Sequence, residues 1–441
     1  MRTAISPIRQ SNPALHTHLP NLTHLFYLFL LLYVAPLPNW ATGFRLPDQD
    51  AFATARGEAF VATADNPAAI YYNPAGLTQL KGHQLRLGVY GLYLRSRYQS
   101  PSTGQTYHNA KDRHAIPQLY YTYGPEALRW SFGLGVYAPF GLSSEWPEDT
   151  GFRTVATQGE VQYYTLNPVV ACEVVPGRLS LGAGLTLNHA ELDLRQGLVW
   201  PAQPLDLFAF QGDNWNVGYN LGLRWQVHEK VSIGISFRSA TDIKLEGHTR
   251  VYNLAAFPPG VGMIPAFPEQ RWRATADWPF PLKAIFGISW RPTPAWNLEF
   301  NADYTGWNRL KTVTLHQQGA IPGLIPADVL LPLHWQGSWY YEFGITRYFA
   351  GGWRASAGYI WNENSVPNAT YSPLVADLNR HFWSIGLGRA VGRWTADVAY
   401  QLGYGPTHTV TGSRPSAIGQ SADGRYRFLS HAVALSIGCA F

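Results

Sequence analysis

Charge is what this sequence has least of. Lys, Arg, Asp and Glu supply 14% of its 441 residues, where an ordinary soluble domain carries about 25%. Cysteine is nearly absent as well. The two present, Cys172 and Cys439, cannot staple a chain of this length, and both act as small apolar side chains. No long apolar run exists: the longest, Leu25 to Ala35, has eleven residues, whereas a spanning helix needs roughly twenty. The formal net charge is +5, and setting aside Arg2 and Arg9 in the leader described below leaves +3. No run of Lys or Arg could track phosphates, so a nucleic-acid partner is excluded. Metal and cofactor motifs are missing too. There is no His-Glu-x-x-His and no spaced Cys/His set, and the Gly133-Leu134-Gly135 and Gly182-Ala183-Gly184 fragments fall inside strands rather than before a helix.

What replaces charge is glycine and aromatic surface: 42 Gly, 17 Trp, 25 Tyr and 21 Phe. That composition excludes a disordered chain. The short apolar run follows a basic segment and precedes Pro36, Pro38, Trp40 and Ala41, the layout of a signal peptide cleaved near Ala41. Residues 1–42 are therefore expected to be a removable leader.

From Gln84 onward, apolar residues take every second position, the period of a strand with two unlike faces. Leu179, Leu181, Ala183, Leu185 and Leu187 alternate with Ser180, Gly182, Gly184 and Thr186. The same pattern recurs through Trp215–Val227, Val231–Phe237, Trp296–Ala302 and Trp394–Tyr400. Alternation alone also fits a sandwich, so the segment ends decide. Trp215, Trp225, Trp290, Trp296, Trp339, Trp353 and Trp394 stand near them, where amphipathic rings would lie at a membrane interface.

Fourteen strands are predicted, at roughly 84–98, 113–124, 127–139, 157–174, 178–194, 214–227, 231–248, 270–291, 295–312, 334–348, 353–361, 380–390, 393–403 and 426–441. Short turns alternate strictly with links of about ten to twenty residues, as in outer-membrane barrels. The last strand ends Val433, Leu435, Ile437, Cys439, Phe441 on one face. An amphipathic strand closing on Phe resembles the signal by which bacterial barrels meet their assembly machinery. The expected fold is thus an all-β, 14-stranded antiparallel transmembrane barrel over residues 84–441, surrounded by outer-membrane lipid and lipopolysaccharide.

Residues 43–83 lack strand period. They hold Gly43-Phe44-Arg45-Leu46, and then Ala64 to Ala75 with two Asn-Pro steps, at Asn66-Pro67 and Asn73-Pro74; the residue before each Pro is pushed out of the helical region. A barrel this wide leaves a bore that side chains alone do not fill, and a plug is the natural filler. Together with Pro281–Gly287, Ala302-Asp303-Tyr304-Thr305-Gly306-Trp307, Gly358-Tyr359 and Ser384–Gly388, this segment resembles the FadL family of outer-membrane transporters for hydrophobic compounds. The resemblance runs from Gly43 to Phe441. It implies a hatch built on Gly43, Phe44, Asn73, Pro74 and Ala75, passive uptake of long-chain fatty acids or other apolar compounds, and a lateral exit at a kink in the third strand. Gly133, Gly135 and Pro139 are the residues here that match that kink.

Other expectations come from the residues themselves. Three outer loops are unusually apolar, the third with Trp200, Phe208 and Phe210, the fourth with Phe257, Ile264 and Phe267 and the fifth with Ile321, Leu324 and Leu330; exposed apolar patches mark interaction sites, so the first six are expected to capture ligand, with loops packed on one another as a lid as the competing role. Burying a sixteen-carbon tail would contribute on the order of 10 kcal/mol at most. If Ile233 and Ile235 face lipid, Arg238 and Lys244 project inward and are candidate partners for an acidic head group, with internal pairing to Asp242, Glu246, Glu299 and Asp303 as the competing role. The rival functions are a general diffusion porin, which would favour an open charged bore, and a barrel hydrolase of membrane lipid, which would need a Ser-His-acid set that spacing does not reveal.

Overall fold

The computed structural model describes residues 43–110, 113–199, 206–255, 265–416 and 419–441. The leader at residues 1–42, and the expected capture residues Trp200, Phe257 and Ile264, lie outside the described residues.

The alternating segments form one closed antiparallel sheet of fourteen staves. They are β1 (Gly82–Gln99), β2 (Arg113–Gly124), β3 (Trp130–Glu145), β4 (Gln158–Val175), β5 (Leu179–Gln196), β6 (Asp206–His228), β7 (Val231–Arg238 and Thr241–Asn253), β8 (Phe267–Phe280 and Lys283–Trp290), β9 (Trp296–Thr305 and Thr312–Gln317), β10 (Asp328–Pro332 and Ser338–Tyr348), β11 (Trp353–Asn362), β12 (Arg380–Val391), β13 (Trp394–Val410) and β14 (Gly424–Ala440). Closure comes from β1 pairing with β14, in unbroken register from Gln84↔Ala440 to Gln99↔Arg425. The C-terminal residue completes it, because the Phe441 N–H donates to the His83 carbonyl (2.9 Å) and the His83 N–H to the Phe441 carbonyl (3.1 Å).

The two faces differ as a membrane barrel requires. Leu185, Val217, Ile385, Val433 and Ile437 point outward and are exposed, while Asn167, Asn220, Asn297, Asn301 and Asp303 point inward and are buried. The tryptophans Trp215, Trp225, Trp290, Trp339, Trp353 and Trp394 are exposed on the outer wall. Among the described residues no helix is long and apolar enough to cross a membrane; the strands do that work.

Two departures from the expected strands matter later. Several strands run further toward the long-loop end than their alternation suggested, so β6 already begins at Asp206 and β8 at Phe267. In addition, β7 and β8 each break for two residues, at Ser239–Ala240 and Pro281–Leu282. The inward set changes parity at each break: Ser232, Ser236 and then Ile243, Leu245 in β7, and Ala276, Trp278, Phe280 and then Ile285 in β8. Each break flips every later side chain to the other face.

Candidate functional site

The first described residues fill the bore. Ala51–Ala55 and Ala69–Tyr72 are short helices, and Pro74–Gln79 is a 3₁₀ turn. Asp50 caps the first helix by accepting from the Phe52 (3.1 Å) and Ala53 (3.3 Å) N–H groups, the usual way an acidic residue satisfies free donors at a helix start. Small side chains make this hatch dense: Ala53, Ala59, Ala62, Ala64, Ala68, Ala69 and Ala75 are fully buried.

Room for the hatch comes from glycines on the inner wall. A Cβ on Gly182 of β5 would stand 2.5 Å from both Pro74 C and Ala75 N, and one on Gly344 of β10 2.5 Å from the Arg56 carbonyl oxygen. Gly182 pairs directly with Gly222 of β6, where a Cβ would overlap the Asn73 side chain. The two glycines form a slot for Asn73-Pro74-Ala75. Within it Asn73 donates to the Val61 carbonyl (2.8 Å) and the wall carbonyl of Leu223 (3.0 Å), and accepts from the Ala75 N–H (3.2 Å).

Charges lock the hatch to the wall. Arg86 of β1 bridges hatch Asp50 and, at 2.8 Å, Asp397 of β13, which also holds Arg354 of β11 at 2.7 Å. Glu299 of β9 accepts from the Ala62 (2.8 Å) and Thr63 (3.1 Å) N–H groups and lies 3.4 Å from Arg56. Arg45 pairs with Asp303 at 2.5 Å, and Lys283 reaches the same carboxylate at 3.2 Å. Gly43 is held at the top, its N–H donating to Asp377 (2.9 Å), whose carboxylate also accepts from the Ser365 N–H (3.1 Å) and hydroxyl (2.8 Å). Burial pushes the Asp377 carboxyl up, against the pull of Arg380 and the Gly43 N–H. Glu299 and Asp303 were expected to point inward and pair internally, but their hatch partners, and the tie at Arg86, were missed in the sequence; the available signal was a charge on an inner strand face, as at Arg86 between Gln84 and Gly88.

The wall is not zipped throughout. The β2–β3 ladder covers only Tyr123↔Phe132 to Leu119↔Val136. Beyond it Arg113–Gln118 pairs only with β1, and Tyr137–Glu145 pairs only with β4, until a single Ala110↔Glu145 bridge near the long-loop end. The cause lies at Ala138-Pro139: the β3–β4 register slips by one residue between Tyr137 and Phe140, and Pro139 has no N–H for a ladder. The displaced backbone turns to the hatch instead. Leu46 N–H donates to the Pro139 carbonyl (2.9 Å) and Gly141 N–H to the Phe44 carbonyl (3.0 Å), while the Gln49 amide donates to the Ala138 carbonyl (2.9 Å).

This corrects the expectation for the third strand. Pro139 lies in the bulge, but Gly133 and Gly135 sit in regular ladder, opposite Thr122 and Tyr120. Their missing side chains make room for Ile70 and Leu77 of the hatch, so they belong to the glycine belt.

A cavity of about 390 Å³ lies against the open seam, lined by Phe44–Asp48 of the hatch, Arg113–Pro117 of β2, and Ala138 and Phe140–Ser144 of β3. A second, about 140 Å³ and almost wholly apolar, lies toward the long loops among Leu192, Phe208, Phe210, Trp278 and Trp335. Phe44 lines both. The residue is 2% exposed, and its ring packs edge-on against Trp307 (4.8 Å), Phe280 (5.9 Å) and Phe140 (6.0 Å).

The three expected capture residues that the structure describes are therefore placed differently from a loop surface. Phe208 and Phe210 are buried on the inner face of β6, and Phe267 begins β8 packed against the same cluster, because the strands extend past the predicted loop boundaries. The head-group pair also separates. Arg238 points inward, donating to the Tyr137 hydroxyl (2.7 Å) and the Tyr71 carbonyl (3.4 Å) with its guanidinium 5.1 Å from the Tyr71 ring centroid. Lys244 is exposed, since the break at Ser239–Ala240 turns it away from the bore; Asp242 turns with it and pairs outside with Arg309 at 2.8 Å. Among the described residues no His, Cys, Asp and Glu cluster could hold a metal ion.

The family model described as outer membrane protein transport protein (OMPP1/FadL/TodX) matches residues 32–441. Among curated relatives, a 47 kDa outer membrane protein of Pasteurella multocida is 25% identical over 58% of this chain and 62% of its own length. The long-chain fatty acid transport protein of Escherichia coli K12 is 20% identical over 70% of this chain and 66% of its own length. The chain thus spans just under two thirds of both relatives. Among solved structures, a Pseudomonas aeruginosa FadL homologue superposes with a TM-score of 0.78 at 20% identity, over 91% of this chain and all (100%) of that one. The Pseudomonas putida toluene transporter TodX gives 0.71 at 15% identity, over 91% and 100%.

Proposed function

The chain belongs to the outer membrane protein transport family, OMPP1/FadL/TodX, whose members are transport channels rather than enzymes, and from that premise we propose a route for its hydrophobic cargo. Apolar molecules enter at the long-loop end and settle in the pocket between Phe208, Phe210, Trp278 and Trp335. They pass Phe44 into the cavity beside the hatch and leave sideways, through the seam between Arg113–Gln118 and Tyr137–Ser144, into the membrane. The observation that carries this reading is the cavity whose lining includes both edges of the unzipped seam. A straight path is closed by the hatch, which speaks against a diffusion porin.

The cargo is a long aliphatic or aryl compound whose affinity comes from its apolar surface. The names of the relatives point both ways, to a fatty acid and to toluene. The inner cations already have partners: Arg45 has Asp303, Arg380 has Asp377 at 3.4 Å, and Arg238 has Tyr137. An acidic head would have to displace one of these, so an uncharged or weakly polar head suits the bore better. Arg238, the only expected head-group partner that reaches the interior, remains the site for any such exchange. Phe441, exposed and stacked on His83, is the residue offered to the assembly machinery.

The route is tested by closing the seam. Pro117→Cys and Ala138→Cys, in a background with Cys172→Ala and Cys439→Ala, place thiols where the next ladder pairs would have formed. Oxidation should stop uptake of an apolar fluorescent probe and reduction should restore it. Uptake that ignores the cross-link would refute lateral exit.

A further inference from the structure

No run of basic residues exists in the chain, yet folding assembles one on the outer wall. Arg95 and Arg97 of β1, Arg113 of β2, and Arg425 and Arg427 of β14 occupy outward positions at the long-loop end, with Arg97 half-buried and the other four exposed. Arg97 stands directly opposite Arg427, Gln99 opposite Arg425, and Tyr93 opposite Arg113. Five guanidinium groups thus share three neighbouring strands.

Like charges facing each other across a ladder are destabilising, and elsewhere on the outer wall the problem is solved locally. Arg250 pairs with Glu269 (2.9 Å), Arg195 with Asp193 (2.7 Å) and Arg309 with Asp242 (2.8 Å). None of the five arginines here pairs with a carboxylate among the described residues. Two of them have neutral partners instead: Arg95 donates to His108 Nδ1 (3.2 Å) and Arg97 to the Thr106 hydroxyl (3.3 Å). His108, between them, is held below its ordinary pKa by partial burial and then by Arg95 and Arg97, so it adds no charge and registers the positive field.

Immediately toward the membrane on the same strands the outer surface turns apolar, with Leu429, Val433, Leu435, Val89 and Leu87 exposed. Long loops of such barrels face outside, so this boundary lies at the headgroup level of the outer leaflet. We propose that the Arg95–Arg97–Arg113–Arg425–Arg427 patch is a binding site for a phosphorylated lipid of the outer leaflet. Its phosphates bridge the opposed arginines by charge-assisted hydrogen bonds, and its acyl chains lie along β14 and β1. Arg113 also lines the seam cavity, which puts this lipid at the outer corner of the opening between β2 and β3. The site does not depend on which cargo the channel carries.

The test uses the full protein in mild detergent with purified diphosphoryl lipid A as the probe, its dephosphorylated form as comparison, and native mass spectrometry as the readout. Arg97→Gln with Arg427→Gln should weaken lipid A binding by about tenfold or more, two charged hydrogen-bond donors being lost. Arg250→Gln, where the cation has its own carboxylate, should leave it unchanged. If the double variant fails to fold, Arg425→Gln alone serves, with a smaller loss. Equal binding of the phosphorylated and dephosphorylated lipids by the native protein would overturn the proposal. So would undiminished binding by the variants, or displacement of the lipid by equimolar inorganic phosphate, which would mark an ion site rather than a lipid site.

Discussion

Replacing Gly182 by Ala should unseat the hatch while sparing the barrel. The new Cβ would lie 2.5 Å from Pro74 C and Ala75 N, and ordinary contact begins at 3.4 Å, so the hatch backbone must retreat by about 0.9 Å, the difference between the two. Rotamer changes cannot relieve this, because the atoms met are backbone. Overpacking of this kind costs about 1–3 kcal/mol. The retreat also endangers three neutral hydrogen bonds, from Asn73 to the Val61 and Leu223 carbonyls and between Thr78 and Ser180 (2.7 Å), together about 1.5–4.5 kcal/mol. The wall itself keeps its pairing, since Gly182 bonds regularly to Ala171 and Gly222 through backbone alone. Single-channel conductance in planar bilayers measures the outcome: Gly182→Ala should raise ion flow, with an unchanged β-sheet signal by circular dichroism. Gly91→Ala is the control, its Cβ meeting only the Val433 carbonyl at an ordinary 3.6 Å. Should both variants conduct as little as the native protein, the claim that inner glycines seat the hatch is wrong.

Phe44→Ala should lower the thermal midpoint in detergent, the loss of a buried Phe costing about 3–5 kcal/mol, and should join the two cavities it separates, so that a bulkier apolar probe binds; an unchanged probe-size limit would show that Phe44 is no divider. Glu363 gives a pH prediction. Burial, offset by the Trp339 N–H, pushes its carboxyl up from 4.5 to about 7. A folded-state pKa above the unfolded one favours the protonated form, so its contribution is complete below about pH 4.5 and lost as pH rises through about 7. Glu363→Gln should therefore flatten the stability profile between those values and raise stability at pH 8, and a profile identical to native would refute the assignment.

Strand number, the alternation of short and long links and the two-faced wall were all legible along the chain, because a period of two is written in neighbouring residues. The glycines of the inner face were visible in the same way, as small residues opposite Leu181 or Ala183. Their purpose was not, since it depends on Asn73-Pro74-Ala75 arriving against Gly182 and Gly222 from far away in sequence. The apolar content of the third outer link was also plain, yet Phe208 and Phe210 prove to be inner-wall residues, as nothing in a strand's composition tells how far its ladder runs. Lys244 shows the limit most clearly. Strict alternation carried through Ser239–Ala240 points it inward, and one slipped residue points it out.

The order of residues by itself determined a barrel that faces lipid on one side and polar groups on the other, with a compact segment ahead of it. Tertiary structure alone decided where the wall opens and what holds the bore shut. Arg86 meets Asp397, and Arg97 meets Arg427, only because closure brings the two ends of the chain side by side. Electrostatic pairing and the slip at Pro139 act through space between strands, and no local pattern encodes a distance across a ring.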